Sequence, residues 1–315
     1  MEYVLECDNL GKSFGSLIAL QDIDIHINNH VSVGLVGPNG AGKTTLFSLF
    51  CGFLKPSSGS LKILSKLPDS SDIKGHIGIL PQDIPMLRGI AVLEQLQLFA
   101  KLQGYRKQSA KQEIERIVNL VNIGTLIKQF PETLSYGQRK KVALAQALIG
   151  QPEIILLDEP TSGLDPVAAN EVRAIIQRTR GDHTYVISSH NLEEIKNVCD
   201  EVIIIDKGKL VRHCQINELI ERDKTLTLLL DKIPDDSLIQ TLNSLPSVNR
   251  IETDINNPKR IAIYFSDQNP EQFQYRVFEC LQNNGAGIVE FSRGSAFADK
   301  VVELVSKPQD RVYKP

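Results

Sequence analysis

Nine consecutive residues, Gly37 to Thr45 (GPNGAGKTT), combine glycines, a lysine and two threonines at a spacing suited to gripping phosphate. They fit G-x-x-x-x-G-K-[ST], with Gly37, Gly42, Lys43 and Thr44 at the fixed places. Pro38, Asn39, Gly40 and Ala41 fill the interval, and Thr45 closes the run. Glycines there let the backbone curl so that successive N–H groups point inward as an anion nest. The N-terminus of a following helix adds partial positive charge. Lys43 can reach the β- and γ-phosphates of a nucleotide, and the Thr44 hydroxyl can ligate Mg²⁺. The plain alternative is a tight turn with a chance lysine. The flanking patterns argue against it: VSVGLV before the run has the length and β-branching of a buried strand, and LFSLFCGFL after it reads as a helix.

Further chemistry lies downstream. In EIILLDEPTSGLD, Ile154 to Leu157 is continuously apolar, as a buried parallel strand is. Asp158 at its carboxyl end can hold Mg²⁺ through water. Glu159 beside it can take a proton from an attacking water. Acidic residues after a strand also cap the next element, so the pair has a plain reading too. SGLDP then breaks the chain before another helix. TYVISSH (184–190) is a strand ending in His190. His190 is either a satisfied structural residue or, at the mouth of a parallel sheet, a phosphate contact. Gln82 follows an apolar strand end in GILPQDIPM, and its amide can touch a metal-bound water and still move away. Phe14 in GKSFGS is either a core aromatic or a flat ring on which an adenine can stack.

The elements that position these residues follow from periodicity. Residues 3–30 alternate like antiparallel strands, with Ile23, Ile25 and Ile27 on one face. Residues 59–80 read as short strands. From 91 to 149 the pattern is helical: Ile114, Ile117, Val118 and Val121 fall at i, i+3, i+4 and i+7, and Ser109 is placed to cap that helix. The helical stretch ends in TLSYGQRKKVALAQALIG, where Ser135 is a natural N-cap and Gly137 lets a phosphate come close to the backbone. Arg139, Lys140 and Lys141 behind it are either a solvated basic face or part of a second anion site. From 223 onward the order β-α-β-β-α-β with a helical tail (295–305) predicts a small ferredoxin-like α+β module.

Composition sets the outer bounds. The chain has 315 residues, enough for about two domains with real cores. A net charge of −3 gives no overall basic field, so no nucleic-acid partner is expected. Cys7, Cys51, Cys199, Cys214 and Cys280 are scattered without a C-x-x-C, which suits a reducing cytosol. The first ten residues lack the basic and apolar regions of a signal peptide. No window approaches 18 uncharged apolar residues, so any action at a membrane is expected to pass through a partner.

In this order the motifs resemble those of the ATP-binding-cassette ATPases over about residues 3–220. LSYGQ (134–138) is the telling one, since other P-loop enzymes lack it; Tyr136 departs from the glycine usual there. The resemblance implies a P-loop NTPase fold, a RecA-like core with antiparallel β and helical subdomains (1–222, helical part about 91–149), followed by the small domain at 223–315. It implies ATP and Mg²⁺ as ligands. Lys43, Thr44 and Thr45 would hold phosphates and metal, Phe14 would stack on adenine, and Gln82 would sense the metal and a transport partner. Ser135 and Gly137 would meet the γ-phosphate bound to a second ATPase subunit, identical or different, and Gln138 would be a further nucleotide-binding residue. Asp165 would be a cross-subunit element, Glu159 the general base and His190 a γ-phosphate contact. Membrane-spanning permease subunits are the implied partners, with the chain cytoplasmic and peripheral on the inner face of the membrane. One nucleotide domain with a short α/β extension resembles the drug, lipid or polysaccharide exporters. The competing classes are a soluble cassette protein acting on ribosomes or nucleic acid, which lacks support from coiled coils, zinc modules or a second nucleotide domain, and a non-hydrolysing regulatory module, disfavoured by Glu159, Gln82 and His190.

Overall fold

The computed structural model describes residues 3–221, 225–254, 257–267, 269–293, 301, 302, 304 and 305. The chain divides into two compact units, Met1–Cys214 and Gln215–Pro315, a few residues before the composition shift near 223.

The first unit begins with β1 (Leu5–Phe14) and β2 (Leu17–Ile27), an antiparallel pair in which Cys7 faces Ile25 and Leu5 faces Ile27. Ile23, Ile25 and Ile27 are fully buried, so the period-two stripe is the core face. The chain continues through β3 (Ser32–Val36), α1 (Lys43–Phe50), β4 (Ser58–Ile63) and β5 (Ile77–Leu80). It then enters the helices α2 (Val92–Leu102), α3 (Lys107–Val121) and α4 (Tyr136–Leu148). The α/β pattern resumes with β6 (Ile154–Asp158), α5 (Pro166–Thr179), β7 (Thr184–Ser188), α6 (Leu192–Val198), β8 (Glu201–Asp206) and β9 (Lys209–Gln215).

Two sheets result. One is three-stranded, β2-β1-β4, and antiparallel. The other is six-stranded, β5-β6-β7-β3-β8-β9, with parallel pairing from β5 through β8. Every residue of β3, β6 and β7 is buried, as expected of strands covered on both faces. The chain reverses its strand order around β3, so the carboxyl ends of β3, β6 and β7 open on one crevice, the usual ligand site of such sheets.

The helical block matches its periodicity: Ile114, Ile117 and Val121 are buried and Val118 half-buried. Its cap does not match. Arg106, not Ser109, is the N-cap of α3; Ser109 sits at the third helical position, where its hydroxyl accepts from Arg106 N–H at 3.1 Å and donates to Arg106 C=O at 3.0 Å. A serine just inside a helix can satisfy the same orphan amide by reaching back, and the sequence pattern is nearly the same for both placements.

The second unit opens with α7 (Ile216–Glu221) and continues β10 (Thr225–Leu230), α8 (Asp236–Asn243), β11 (Val248–Thr253), β12 (Arg260–Phe265), α9 (Pro270–Asn283) and β13 (Ile288–Arg293). Its sheet order is β11-β12-β10-β13, antiparallel throughout, which is how β-α-β-β-α-β elements interleave when each helix crosses over one strand. Phe265 and Phe273 stack at 4.1 Å in its core, among Leu228, Ile263 and Leu281. The expected tail helix at 295–305 falls mostly outside the described residues.

All five cysteines are free. Among the described residues no helix is long and apolar enough to cross a membrane. Leu156, fully buried in β6, packs in the core shared by β3, β7 and the antiparallel sheet. Leu156→Ala is expected to destabilise the first unit by about 2–5 kcal/mol, read from its denaturant midpoint; a change below about 0.5 kcal/mol would contradict this placement.

Candidate functional site

The loop from Gly37 to Gly42 leaves β3 and enters α1, whose first residue is Lys43. Two glycines here are dictated by geometry. A Cβ on Gly37 would lie 2.2 Å from the Ile205 carbonyl oxygen, so only glycine lets the loop pass β8. Gly42 is the N-cap of α1 at φ 104°, and a Cβ there would meet Leu20 Cδ2 at 2.7 Å and Ala19 C=O at 2.9 Å. Gly42 has no side chain to cap α1, so the first-turn amides stay available to an anion. Lys43 Nζ donates to Gly37 C=O at 2.6 Å and Pro38 C=O at 3.1 Å, folded over the loop it follows. Burial pushes the Lys43 ammonium below the usual lysine range, while Glu159 and Asp158 oppose that shift.

A cavity of about 550 Å³ opens at this loop. Asn39, Gly40, Gly42, Lys43, Thr44 and Thr45 line it on one side, and Gln82, Asp158 and Glu159 on another. Phe14 lines it as well and is 46% exposed, which removes the core-aromatic reading; Lys12 Nζ stands 5.1 Å from its ring centre. Gly37, Pro38 and Ala41 shape the loop from behind, with Ala41 N–H bonded to Pro38 C=O.

Asp158 and Glu159 leave the end of β6 in different environments. Asp158 is buried and accepts a short hydrogen bond from the Ser188 hydroxyl. Glu159 takes the left-handed conformation at φ 50°, uncommon for a residue with a long side chain. Its N–H donates to Ser188 C=O and Oγ, both at 3.1 Å. Its carboxylate lies 2.7 Å from His190 Nδ1; the imidazole is largely exposed and the carboxylate mostly covered. His190 is thus tied to Glu159, which lines the cavity, and is not itself part of the lining.

Oxygen donors dominate where a cation would sit. The Thr44 hydroxyl, the Gln82 amide and the Asp158 carboxylate line one cavity, the hard donor set that Mg²⁺ selects. Few in number, they suit an ion that keeps water and phosphate oxygens as its other ligands. Among the described residues no three His, Cys, Asp or Glu side chains form a protein-only metal site.

The remaining expected residues lie elsewhere. Ser135 is the N-cap of α4; its hydroxyl accepts from Gln138 N–H at 3.2 Å and the Gln138 side chain accepts from Ser135 N–H at 2.8 Å. Ser135, Gly137, Gln138 and Asp165 line a second cavity of about 230 Å³. Asp165 caps α5 by accepting from Val167 and Ala168 N–H, both at 3.0 Å. Tyr136 packs over Gly163, where an added Cβ would lie 3.2 Å from its ring, so the departure from glycine is absorbed by the SGLD turn. Gly137 has a packing reason besides the one expected: a Cβ there would press on Ala168 Cβ at 3.2 Å.

Of the two readings open for Arg139, Lys140 and Lys141, the solvated basic face does not fit Lys140 and Lys141. Lys140 is 1% exposed, and Lys141 is half-buried and paired with Glu171 at 3.0 Å. Burial lowers the Lys140 pKa, opposed by Asp158, Glu159, Asp83 and Glu194. Sequence reasoning also passed over Ser188, Leu17, Ile18 and Lys207, which line the main cavity. Only Ser188 carried a signal, as a polar residue ending an apolar strand two residues before the noted histidine.

A parallel α/β sheet with a glycine-framed phosphate cradle after β3, an Asp-Glu pair at the end of β6 with β7 between them, and an aromatic beside the opening defines a nucleotide-hydrolysing domain. Residues 20–162 match the ABC transporter family. The lipopolysaccharide export system ATP-binding protein LptB of Haemophilus influenzae is 33% identical over 214 residues, covering 66% of this chain and 89% of that protein. The linearmycin resistance ATP-binding protein LnrL of Bacillus subtilis is 28% identical over 254 residues, 79% of this chain and 81% of that protein. Among solved structures, cbiO1 from Clostridium perfringens, part of the ABC transporter complex cbiONQ, superimposes with a TM-score of 0.64 at 26% identity, over 77% of this chain and 95% of that one. The chain belongs to the ABC transporter family as an ATP-binding subunit, and is an ATPase.

Lys43→Ala removes the cation at the cradle while leaving its glycines. It is expected to weaken ATP binding by about 10- to 100-fold in a fluorescent-nucleotide titration; unchanged affinity would contradict the cradle.

Proposed function

We propose that this subunit energises a membrane exporter by ATP-driven closure of two ATPase subunits. The observation that carries the reading is the separation of two phosphate-seeking surfaces. The Gly37–Thr45 cradle opens on one cavity with Asp158 and Glu159, whereas Ser135, Gly137 and Gln138 line another. Each is a helix N-terminus, and the two line separate cavities. Phosphoryl transfer needs charge stabilisation on all sides of the γ-phosphate. A second subunit offering its Ser135 helix supplies the missing side. ATP then forms part of the interface, binding favours the closed pair, and hydrolysis removes that preference.

Within the closed site each residue has a task set by its chemistry. Loop amides and Lys43 bind the phosphates, and Phe14 stacks on the adenine. Thr44, Gln82 and Asp158 would hold Mg²⁺, which supplies neutralisation of phosphate charge when bound. Glu159 takes the proton of the water that attacks the γ-phosphorus as the bond to the β-phosphate oxygen breaks. His190, bonded to Glu159, orients that carboxylate and contacts the γ-phosphate.

Similarity to the lipopolysaccharide export protein LptB supports export, and similarity to the linearmycin resistance protein LnrL fits that reading. The match to LnrL runs over 254 residues, more than the 214 of the first unit, and so draws on the second unit too. Among the described residues no helix is long and apolar enough to cross a membrane. In this reading the membrane path belongs to permease subunits, and this subunit is peripheral on the cytoplasmic face.

Affinity purification of the full chain from its own cells is expected to recover a polytopic membrane protein; ribosomes or DNA in its place would contradict transport. Glu159→Gln removes the base and keeps its shape, and is expected to bind ATP, lose turnover and elute at the mass of a dimer on gel filtration. Near-wild-type hydrolysis would contradict the assignment of Glu159. Ser135→Arg is expected to leave nucleotide binding to the single chain intact and to block turnover; loss of binding by the single chain would contradict the two-subunit site.

A further inference from the structure

Lys140 sits in the middle of α4, 1% exposed, in a chain where an apolar side chain would fill the same space more cheaply. A buried ammonium is costly unless its surroundings answer it. Here Nζ donates to Glu159 C=O at 3.1 Å and to Gln82 C=O at 3.4 Å. The carboxylates of Asp158, Glu159, Asp83 and Glu194 supply the surrounding negative charge. The two carbonyls belong to the two loops that carry the proposed base and the proposed metal-sensing amide. The helix that carries Lys140 begins at Ser135.

The clamp on Glu159 is two-sided. Ser188 receives its N–H, and Lys140 holds its C=O. Between them the residue stays at φ 50°, a conformation that persists only where its neighbours fix it. We propose that Lys140 is a positioning residue for ATP hydrolysis: its ammonium fixes the backbone of Glu159 and registers the Gln82 loop and the Ser135 helix to it. The inference rests on the reading of Glu159 as the base. Lys140 is not among the residues that line the cradle's cavity, and among the described residues its hydrogen bonds go to the Gln82 and Glu159 carbonyls.

That division gives the test its readout. In the full chain, Lys140→Met keeps the length of the side chain and removes the donor. Lys140→Gln keeps one donor, able to reach one carbonyl. ATP affinity is expected to stay within about twofold in both, while kcat falls about tenfold or more in the methionine variant and less in the glutamine variant. Wild-type kcat in a variant that binds ATP overturns the proposal, as does a parallel loss of affinity and kcat in both variants, which marks a purely structural lysine. If the methionine variant fails to fold, the glutamine variant decides by the same two numbers. Glu159→Gln, measured alongside, separates the two claims. Its inactivity with normal Lys140→Met turnover overturns the role of Lys140 alone, whereas an active Glu159→Gln overturns the reading beneath it.

Discussion

The demand that shapes this molecule is the negative charge of a triphosphate, which must be met by fixed dipoles rather than by mobile water. The chain meets it with backbone amides at the start of α1, and everything nearby serves that placement. The loop can curl tightly because Gly37 clears the β8 backbone and Gly42 accepts a left-handed turn against the β2 chain. The loop is held in place because β3 lies in the middle of a parallel sheet buried on both faces. Such a sheet aligns the ends of β3, β6 and β7, so a lysine, an aspartate, a glutamate and a histidine from distant parts of the chain converge with little further arrangement.

The proposed catalytic edge is built from backbone as much as from side chains. Glu159 is held by its N–H and its C=O, and its carboxylate meets His190. Ser188 bridges Asp158 and Glu159, joining β7 to β6 where the sheet ends. Glu194, buried in α6, accepts from Thr161 and Ser189, so the turn after Glu159 and the residue before His190 share one carboxylate. These hydrogen bonds join the turn after β6 and the end of β7 to the Asp-Glu pair.

Much of this was legible in the sequence, for identifiable reasons. GPNGAGKTT, ILLDEP and TYVISSH are local: strand, turn and functional residue are neighbours along the chain, so the pattern carries its own context. Ser135 with Gln138 is a local capping box and reads the same way. Long-range facts were not legible. Arg139, Lys140 and Lys141 look alike as a run of charge, and only the packing of α4 against the loops after β5 and β6 puts the middle one inside. Leu17 and Ile18 read as ordinary strand residues until the cavity places them beside Phe14. Glu113, buried and paired with Arg116 while accepting from Gly150 N–H, likewise depends on a partner 37 residues away. In the second unit the element order was readable because each helix and strand is short and sharply bounded, yet its residues present no comparable chemistry.

Whether one subunit can enclose the phosphates is the central question for this ATPase. A structure of the chain with a non-hydrolysable ATP analogue and Mg²⁺ addresses this directly. The prediction is that the γ-phosphate lies between Lys43 of one copy and Ser135 of a second subunit, within hydrogen-bond distance of both. A triphosphate wholly enclosed by a single copy, with residues 134–138 open to solvent in the hydrolytically competent form, would contradict it.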